Sequence, residues 1–116
     1  MPTMTGYDFG DLVLVPFPFT DQTATKKRPA AVISSTAYHR HRTELLILAV
    51  SSQARPGQSF GEATIAKWQR AGLLKPSLLK PVIATIDRAL VLRRLGRLED
   101  EDKQSMRQLL LAILGS

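Results

Sequence analysis

Residues 10–21 of this chain read GDLVLVPFPFTD, and residues 26–33, beyond a polar loop, read KKRPAAVI. The apolar runs at 12–15 and 30–33 predict two buried strands, whereas residues 21–27 are too polar to bury and predict a surface loop. Pro29 restricts the preceding Arg28 to extended backbone conformations. The two strands therefore predict a rigid scaffold that holds the guanidinium of Arg28 beside a polar loop.

The rest of the chain predicts a mainly β fold. The second strand is expected over residues 29–35, and a third over residues 44–52, whose centre reads LLILAV. Such a continuous apolar run is typical of a strand covered on both faces, so this strand should be central. Shorter strands are predicted at 62–65, 82–86 and 89–95. Because the connections are short, antiparallel pairing in a small barrel or sandwich is favoured.

Three connections are predicted between these strands. Residues 37–43, AYHRHRT, are charged and show no periodicity, which predicts an irregular connection. Residues 66–71 predict one helical turn that ends at Gly72, since glycine tolerates the positive φ found just beyond a helix end. Pro76 and Pro81 are expected to bound the third connection.

The C-terminal segment predicts an amphipathic helix. Its apolar residues recur at i, i+3, i+4, i+7 and i+8, and they are Met106, Leu109, Leu110, Ile113 and Leu114. The acidic residues 99–102 fall in the first turn, where the helix dipole favours negative charge. These four carboxylates therefore have a structural reason to be there, and we do not count them among the catalytic candidates.

Length and composition limit the class of protein. With 116 residues and 44% hydrophobic residues, the chain is expected to form one domain, residues 1–116. Since it has no cysteine, disulfides, thiolate zinc sites and cysteine nucleophiles are excluded, and a cytoplasmic location is the simplest expectation. The N-terminal residues lack the features of an export signal, and no apolar stretch reaches the ~18–20 residues needed to span a membrane.

The charge of the chain is concentrated in its body. Residues 1–98 contain 14 Lys/Arg and 6 Asp/Glu, a net charge of +8, whereas residues 99–116 contain 2 and 4, a net charge of −2. A small basic body suits nucleic acid, an anionic membrane surface or an acidic protein partner. Composition alone does not choose among these three.

Two groups of residues are the best candidates for chemistry on an anion. The planar fork of Arg28 can bind two phosphoryl oxygens, although an exposed arginine beside a sheet can also serve solubility alone. Ser51, Ser52 and Gln53 end the third strand, where hydroxyl groups can hold a ligand oxygen. The chain has no Gly-x-Ser-x-Gly motif for a serine hydrolase. His39 and His41 lack a third metal ligand nearby, so a metal site there is weakly supported.

Five segments in order resemble the motifs of the MazF/PemK toxin family, the ribosome-independent mRNA interferases of type II toxin–antitoxin systems. The segments are residues 10–21, GDLVLVPFPFTD; 27–34, KRPAAVIS; 48–53, LAVSSQ; 71–77, AGLLKPS; and 84–87, ATID. The resemblance covers nearly the whole chain. Each segment alone is a weak signal, but five in order with compatible spacing are specific.

The resemblance implies both a fold and an activity. The fold would be a small SH3-like antiparallel β-barrel of the CcdB/MazF type with a C-terminal helix, acting as a homodimer. The activity would be cleavage of single-stranded RNA at short sequence motifs, without a metal or other cofactor. Attack by the 2′-hydroxyl would leave a 2′,3′-cyclic phosphate and a 5′-hydroxyl. The implied protein partner is a cognate acidic antitoxin that occupies the same basic groove.

The resemblance also assigns residues to these roles. The catalytic residues would be Arg28 and Ser51, where Ser51 stands in place of the threonine usual in the family. Substrate-binding candidates are Phe19, Thr20, Lys26, Lys27, Ser52, Gln53 and Lys80. The segment 80–82, KPV, departs from members that carry an acidic or amide residue there. The general base remains open among Asp21, Glu62, His39 and His41.

Two other functions stay open at this point. A toxin of the same architecture could act without catalysis by binding gyrase, as CcdB does. The chain could also be a basic nucleic-acid-binding module with no enzymatic activity. Arg28 and Ser51 favour the nuclease, because a gyrase-binding protein has no need of a phosphate-directed arginine and hydroxyl.

Overall fold

The computed structural model describes residues 6–17, 26–52 and 59–115, which form six strands and two helices. The strands are β1 (Asp11–Phe17), β2 (Lys26–Val32), β3 (Glu44–Ser51), β4 (Ala63–Thr64), β5 (Leu78–Asp87) and β6 (Arg93–Arg97), and the helices are α1 (Thr36–His41) and α2 (Asp100–Ile113). The predicted mainly β fold with a C-terminal helix is confirmed. Within the described parts of the chain, no helix is long and apolar enough to cross a membrane. Phe19, Thr20, Asp21 and Gln53 lie outside the described residues.

All six strands form one curled antiparallel sheet in the order β4-β5-β3-β2-β1-β6. As the sequence predicts, β3 is central, with β2 on one side and β5 on the other. Side chains alternate along β3 between two buried clusters. Leu45, Ile47 and Ala49 belong to one cluster, and Leu48 and Val50 belong to the other. The apolar run of β3 is therefore explained by burial on both faces.

Helix α2 covers the face of the sheet that carries Leu48 and Val50. Met106 and Leu109 are buried against this face, and Leu110 and Ile113 pack beside them. Four residues of the predicted apolar stripe thus form the packing surface of the helix, whereas Leu114 lies just beyond the last helical residue and is exposed. Asp102, in the first turn, is buried and accepts hydrogen bonds of 2.8 Å from the backbone N–H groups of both Ala66 and Lys67.

The turn over residues 66–72 follows β4 in the chain and packs on the backbone of β6. Its end has the hydrogen bonds of a Schellman motif, in which Leu73 N–H donates to the Trp68 carbonyl and Gly72 N–H donates to the Gln69 carbonyl. Gly72 has a φ of +96°, as the sequence predicts for a residue just beyond a helical turn. A Cβ atom at Gly72 would lie 2.2 Å from the Leu95 carbonyl oxygen, so the turn is packed directly on the β6 backbone.

Two predicted connections were wrong. Residues 37–43 are mostly helical, because α1 begins after Ser35, whose hydroxyl accepts a 3.1 Å hydrogen bond from Tyr38 N–H. Pro81 lies inside β5 and does not bound a loop. The β3–β5 register shifts between the pairs Leu48–Ile83 and Val50–Leu79, and such an irregularity tolerates a residue with no N–H donor.

The last predicted strand was misplaced along the chain. Residues 88–90 form a short 3-10 helix, and β6 begins only at Arg93. The side chain of Asp87 accepts a 2.8 Å hydrogen bond from Ala89 N–H and caps this turn. A local Asp cap therefore outweighs the β propensity of the residues that follow it.

Candidate nucleic-acid interface

One end of the sheet collects the residues that the sequence nominates for anion binding. At this end β1 and β3 finish and β2, β5 and β6 begin, which follows from their antiparallel pairing. We call this end the strand-end rim. Its cations include Lys26, Lys27 and Arg28 at the start of β2 and Arg93 at the start of β6.

The strand register places Arg28 and Ser51 on the same face of neighbouring strands. The last pair of the β2–β3 ladder is Ala30 with Ala49, and two residues further along the strands stand Arg28 and Ser51. Because side chains alternate along a strand, both residues share the face of Ala30 and Ala49. Both are half-buried, and the Nε atom of Arg28 is buried. The rim thus combines a fixed planar cation with a hydroxyl on neighbouring strands.

Lys26 and Lys27 extend this cationic surface. Both are exposed, and neither forms an ion pair with a carboxylate of the described residues. The alternation of β2 places Lys26 on the face of Arg28 and Lys27 on the opposite face. Ser52 is exposed and follows Ser51 onto that opposite face. The rim therefore presents positive charge on both sides of the sheet.

Lys80 lies on the face of Ser51, but its charge is shared with a carboxylate. Leu78 pairs with Ser51, so alternation along β5 directs Lys80 to the same face as Ser51. The Lys80 ammonium lies 3.0 Å from Oε2 of Glu62, whose side chain is only 7% exposed. The sequence signals Lys80 but not this cross-strand partner, because pairing of β4 with β5 is visible only in the fold.

Several other arginines have structural partners at the opposite end of the sheet. The buried carboxylate of Asp11 lies 2.9 Å from Arg97 and 3.4 Å from Arg94. The hydrogen bond to Asp11 and its negative charge raise the pKa of Arg97. Arg88 donates hydrogen bonds to the backbone carbonyls of His39, Arg42 and Thr43. These cations hold the fold together and contribute less to the basic field than their number suggests.

His39 also has a structural role. Its Nδ1 lies 2.8 Å from the Tyr7 carbonyl and its Nε2 lies 2.6 Å from the Ser34 hydroxyl. Since a carbonyl only accepts, Nδ1 carries a hydrogen, and in the neutral imidazole the Ser34 hydroxyl therefore donates to Nε2. Ser34, which His39 contacts, stands six residues beyond Arg28, roughly 20 Å at about 3.3 Å per residue. His39 is therefore too far from Arg28 to act as the general base on a phosphodiester held there. Among the described residues, no group of three or more His, Cys, Asp or Glu could hold a metal ion.

A cavity of about 270 Å³ opens on the opposite face of the strand-end rim. Pro29 and Ser52 line it, each adjacent to a residue of the Arg28–Ser51 pair, and so do Lys75 and Arg93. Neither Lys75 nor Arg93 is among the site residues that the sequence predicts. Because the two residues are 18 positions apart in the chain, the sequence does not indicate that they line the same cavity.

The fold and the rim define a small β protein with a fixed arginine and a hydroxyl at a basic strand end, an arrangement suited to a phosphodiester. A sequence model of PemK-like, MazF-like toxins of type II toxin–antitoxin systems matches residues 8–114. The chain therefore belongs to this toxin family. A comparison with curated protein sequences finds no significant match.

Solved structures of MazF-type toxins have the same fold. MazF of Deinococcus radiodurans is 26% identical with a TM-score of 0.72, and the match covers 95% of this chain and 97% of that chain. A MazE–MazF complex from the same organism is 25% identical with a TM-score of 0.69, covering 94% and 95%. A mycobacterial endoribonuclease in complex with its cognate antitoxin is 12% identical with a TM-score of 0.74, covering 96% and 100%, a likeness of fold alone.

Proposed function

We propose that this toxin is an endoribonuclease that cleaves single-stranded RNA at a short sequence motif by attack of the 2′-hydroxyl. The observation that carries the proposal is the shared register position of Arg28 and Ser51 at the strand-end rim. A guanidinium and a hydroxyl on adjacent strands suit a phosphodiester, because both groups donate hydrogen bonds to phosphoryl oxygens.

In this reaction the 2′-oxygen attacks phosphorus and the bond from phosphorus to the 5′-oxygen breaks. The products are a 2′,3′-cyclic phosphate and a 5′-hydroxyl. Arg28 stabilises the negative charge that builds on the phosphoryl oxygens, and Ser51 donates a hydrogen bond to the same group. Proton transfer at the 2′- and 5′-oxygens needs an acid and a base but no metal ion. His41 lies on α1, at the far end of the sheet with His39, so Asp21 and Glu62 remain the candidates for the base.

The other proposed contacts surround this centre. Lys26 and Lys27 attract the RNA backbone, and Ser52 and Lys80 contact its neighbouring groups. Phe19, Thr20 and Gln53 complete the proposed substrate-binding set.

We further propose that residues 1–116 act as a single toxin domain in the cytoplasm, as a homodimer that a cognate acidic antitoxin inhibits. The MazE–MazF complex and the complex of the mycobacterial endoribonuclease with its antitoxin support such a partner. An acidic antitoxin segment matches the positive charge of the rim and would compete directly with RNA.

The test is incubation of the purified protein with a long single-stranded RNA in excess EDTA, followed by mapping of the cut ends. We expect discrete cuts with cyclic phosphate and 5′-hydroxyl ends, loss of cutting in Arg28→Ala, and unchanged cutting in Arg40→Ala. Arg40 is the matched control because it is exposed on α1, at the far end of the sheet. Intact RNA with the wild-type protein, or equal cutting by Arg28→Ala, would contradict the proposal.

A further inference from the structure

The 270 Å³ cavity behind the strand-end rim has an apolar wall and a cationic mouth. Leu14 and Pro29 form part of the wall, as does Leu73, which is only 8% exposed. Lys75 and Arg93 line the same cavity and are exposed. Neither of these two cations forms an ion pair with a carboxylate of the described residues. An apolar recess that also carries two exposed cations suits a planar base attached to a phosphate backbone.

The size of the cavity favours one small ring system. Its volume lies just below the ~300–1,000 Å³ typical of pockets for drug-sized ligands. The floor is held in place by the Ser77 hydroxyl, which donates a 2.8 Å hydrogen bond to the Lys75 carbonyl. The exposed hydroxyl of Ser52 can donate to or accept from the edge of a base.

The cavity and the Arg28–Ser51 pair lie back to back on the same two strand ends. Arg28 and Ser51 face one side of the sheet, while the next residues, Pro29 and Ser52, face the cavity. An RNA strand that crosses the rim would therefore bring a phosphate to one side and a neighbouring base to the other. Only an unpaired, unstacked nucleotide can separate its base from its backbone in this way.

We propose that this cavity is a base-binding subsite, which takes one nucleobase of single-stranded RNA next to the phosphate held by Arg28 and Ser51. Lys75 and Arg93 contact the phosphates on either side of that base. This proposal rests on the proposed function, and it makes the cavity a determinant of the sequence that is cut.

The experiment combines abasic substitutions in the RNA with a variant that fills the cavity. The probe is a short oligonucleotide from the segment of the test RNA that the protein binds most tightly, chosen across the mapped cut site where cuts are found, and it is 2′-O-methylated so that binding is measured without cleavage. Each of its nucleotides is replaced in turn by an abasic residue, and affinity is measured by fluorescence anisotropy. For the wild-type protein we expect one position where loss of the base weakens binding by about 10-fold, the scale of one bound base.

The filling variant is Ser52→Phe, which places a ring at the mouth of the cavity. It should weaken binding of the intact oligonucleotide by about 10-fold and make the critical abasic substitution neutral, since the two changes remove the same interaction. Lys75→Ala and Arg93→Ala should each weaken binding of every oligonucleotide and leave the critical position unchanged. Arg40→Ala is the matched control and should bind as the wild-type protein does.

Two outcomes would overturn the subsite. Either no abasic position matters, or the critical position matters equally in the wild-type protein and in Ser52→Phe. If one of these outcomes is found and the wild-type protein cleaves RNA in EDTA, the subsite proposal fails and the proposed nuclease activity stands. If base-specific binding is coupled to Ser52→Phe but no RNA is cut, the proposed nuclease activity has failed and the subsite stands. Thermal melting of each variant identifies any loss of folding.

Discussion

Replacement of Ser51 distinguishes a role in catalysis from a role in positioning the RNA. We expect Ser51→Ala to lower kcat by about 10- to 1,000-fold, the scale of removing one transition-state hydrogen-bond donor. Affinity for a 2′-O-methylated oligonucleotide should stay within about 2-fold of the wild-type value, because Arg28 and the lysines remain. The measurement is single-turnover cleavage beside equilibrium binding.

Ser51→Thr is the matched control for this prediction, since threonine keeps the hydroxyl and adds only a methyl group. It should retain most of the activity. A parallel collapse of binding and cleavage in Ser51→Ala would show that Ser51 positions the RNA and does not act in the transition state.

We expect the ion pair of Lys80 with Glu62 to determine how strongly Lys80 attracts RNA. Glu62→Gln removes the negative charge while keeping an oxygen that can accept the 3.0 Å hydrogen bond from Ser59 N–H. We expect this variant to bind RNA about 2- to 5-fold more tightly, on the scale of ~0.5–1 kcal/mol for a partly exposed pair. Lys80→Ala should have the opposite effect. Unchanged affinity in both variants would exclude Lys80 from the RNA surface.

Among the elements, the packing of the 66–72 turn on β6 gives the sharpest stability prediction. A Cβ atom at Gly96 would lie 2.0 Å from the Ala71 carbonyl oxygen, a backbone atom that cannot move aside cheaply. Gly96→Ala should therefore lower the free energy of unfolding by about 1–3 kcal/mol, the usual cost of overpacking. Gly115→Ala is the control, because nothing lies within 4 Å of its added Cβ. Equal midpoints of thermal unfolding for the two variants would contradict this prediction.

The elements differ in how well the sequence predicts them. Apolar runs and a helical stripe sufficed for β1, β3 and α2, because burial of one or two faces dominates their composition. Pro81 misled the prediction, since an irregularity in β3–β5 pairing accommodates a proline that usually ends a strand. Helix α1 has only six residues and is too short to show a helical period, so its N-cap at Ser35 is recognised only in the structure.

The candidate site was predictable in its residues but not in its arrangement. Arg28 stands out before a proline and Ser51 at the end of the strongest strand, so local sequence nominates both. Their shared position across β2 and β3 depends on strand register, which neither segment determines alone. The same limit applies to Lys75 and Arg93, which only the fold brings to one cavity.

On the scale of the whole molecule, the fold places cations that pair with carboxylates at one end of the sheet and a group of exposed cations at the other. At the end of the sheet where β1 begins, Asp8 and Asp11 form ion pairs with Arg94 and Arg97. At the strand-end rim, Lys26, Lys27, Lys75 and Arg93 form no ion pair with a carboxylate of the described residues. The net charge of +6 therefore does not show this local concentration of exposed cations at the rim. This polarity orients a polyanion toward the rim before any specific contact forms.

The salt dependence of RNA binding tests this polarity directly. Each phosphate neutralised on a single strand contributes about −0.7 to the slope of log K against log salt concentration, because counterions are released. The double variant Lys26→Ala/Lys27→Ala should therefore make the slope shallower by about 1.4. Arg40→Ala removes an exposed charge at the far end of the sheet and should leave the slope unchanged. The measurement is the affinity for a 2′-O-methylated oligonucleotide at several salt concentrations. An unchanged slope in the double variant, or an equal change of slope in Arg40→Ala, would place the RNA elsewhere on the surface.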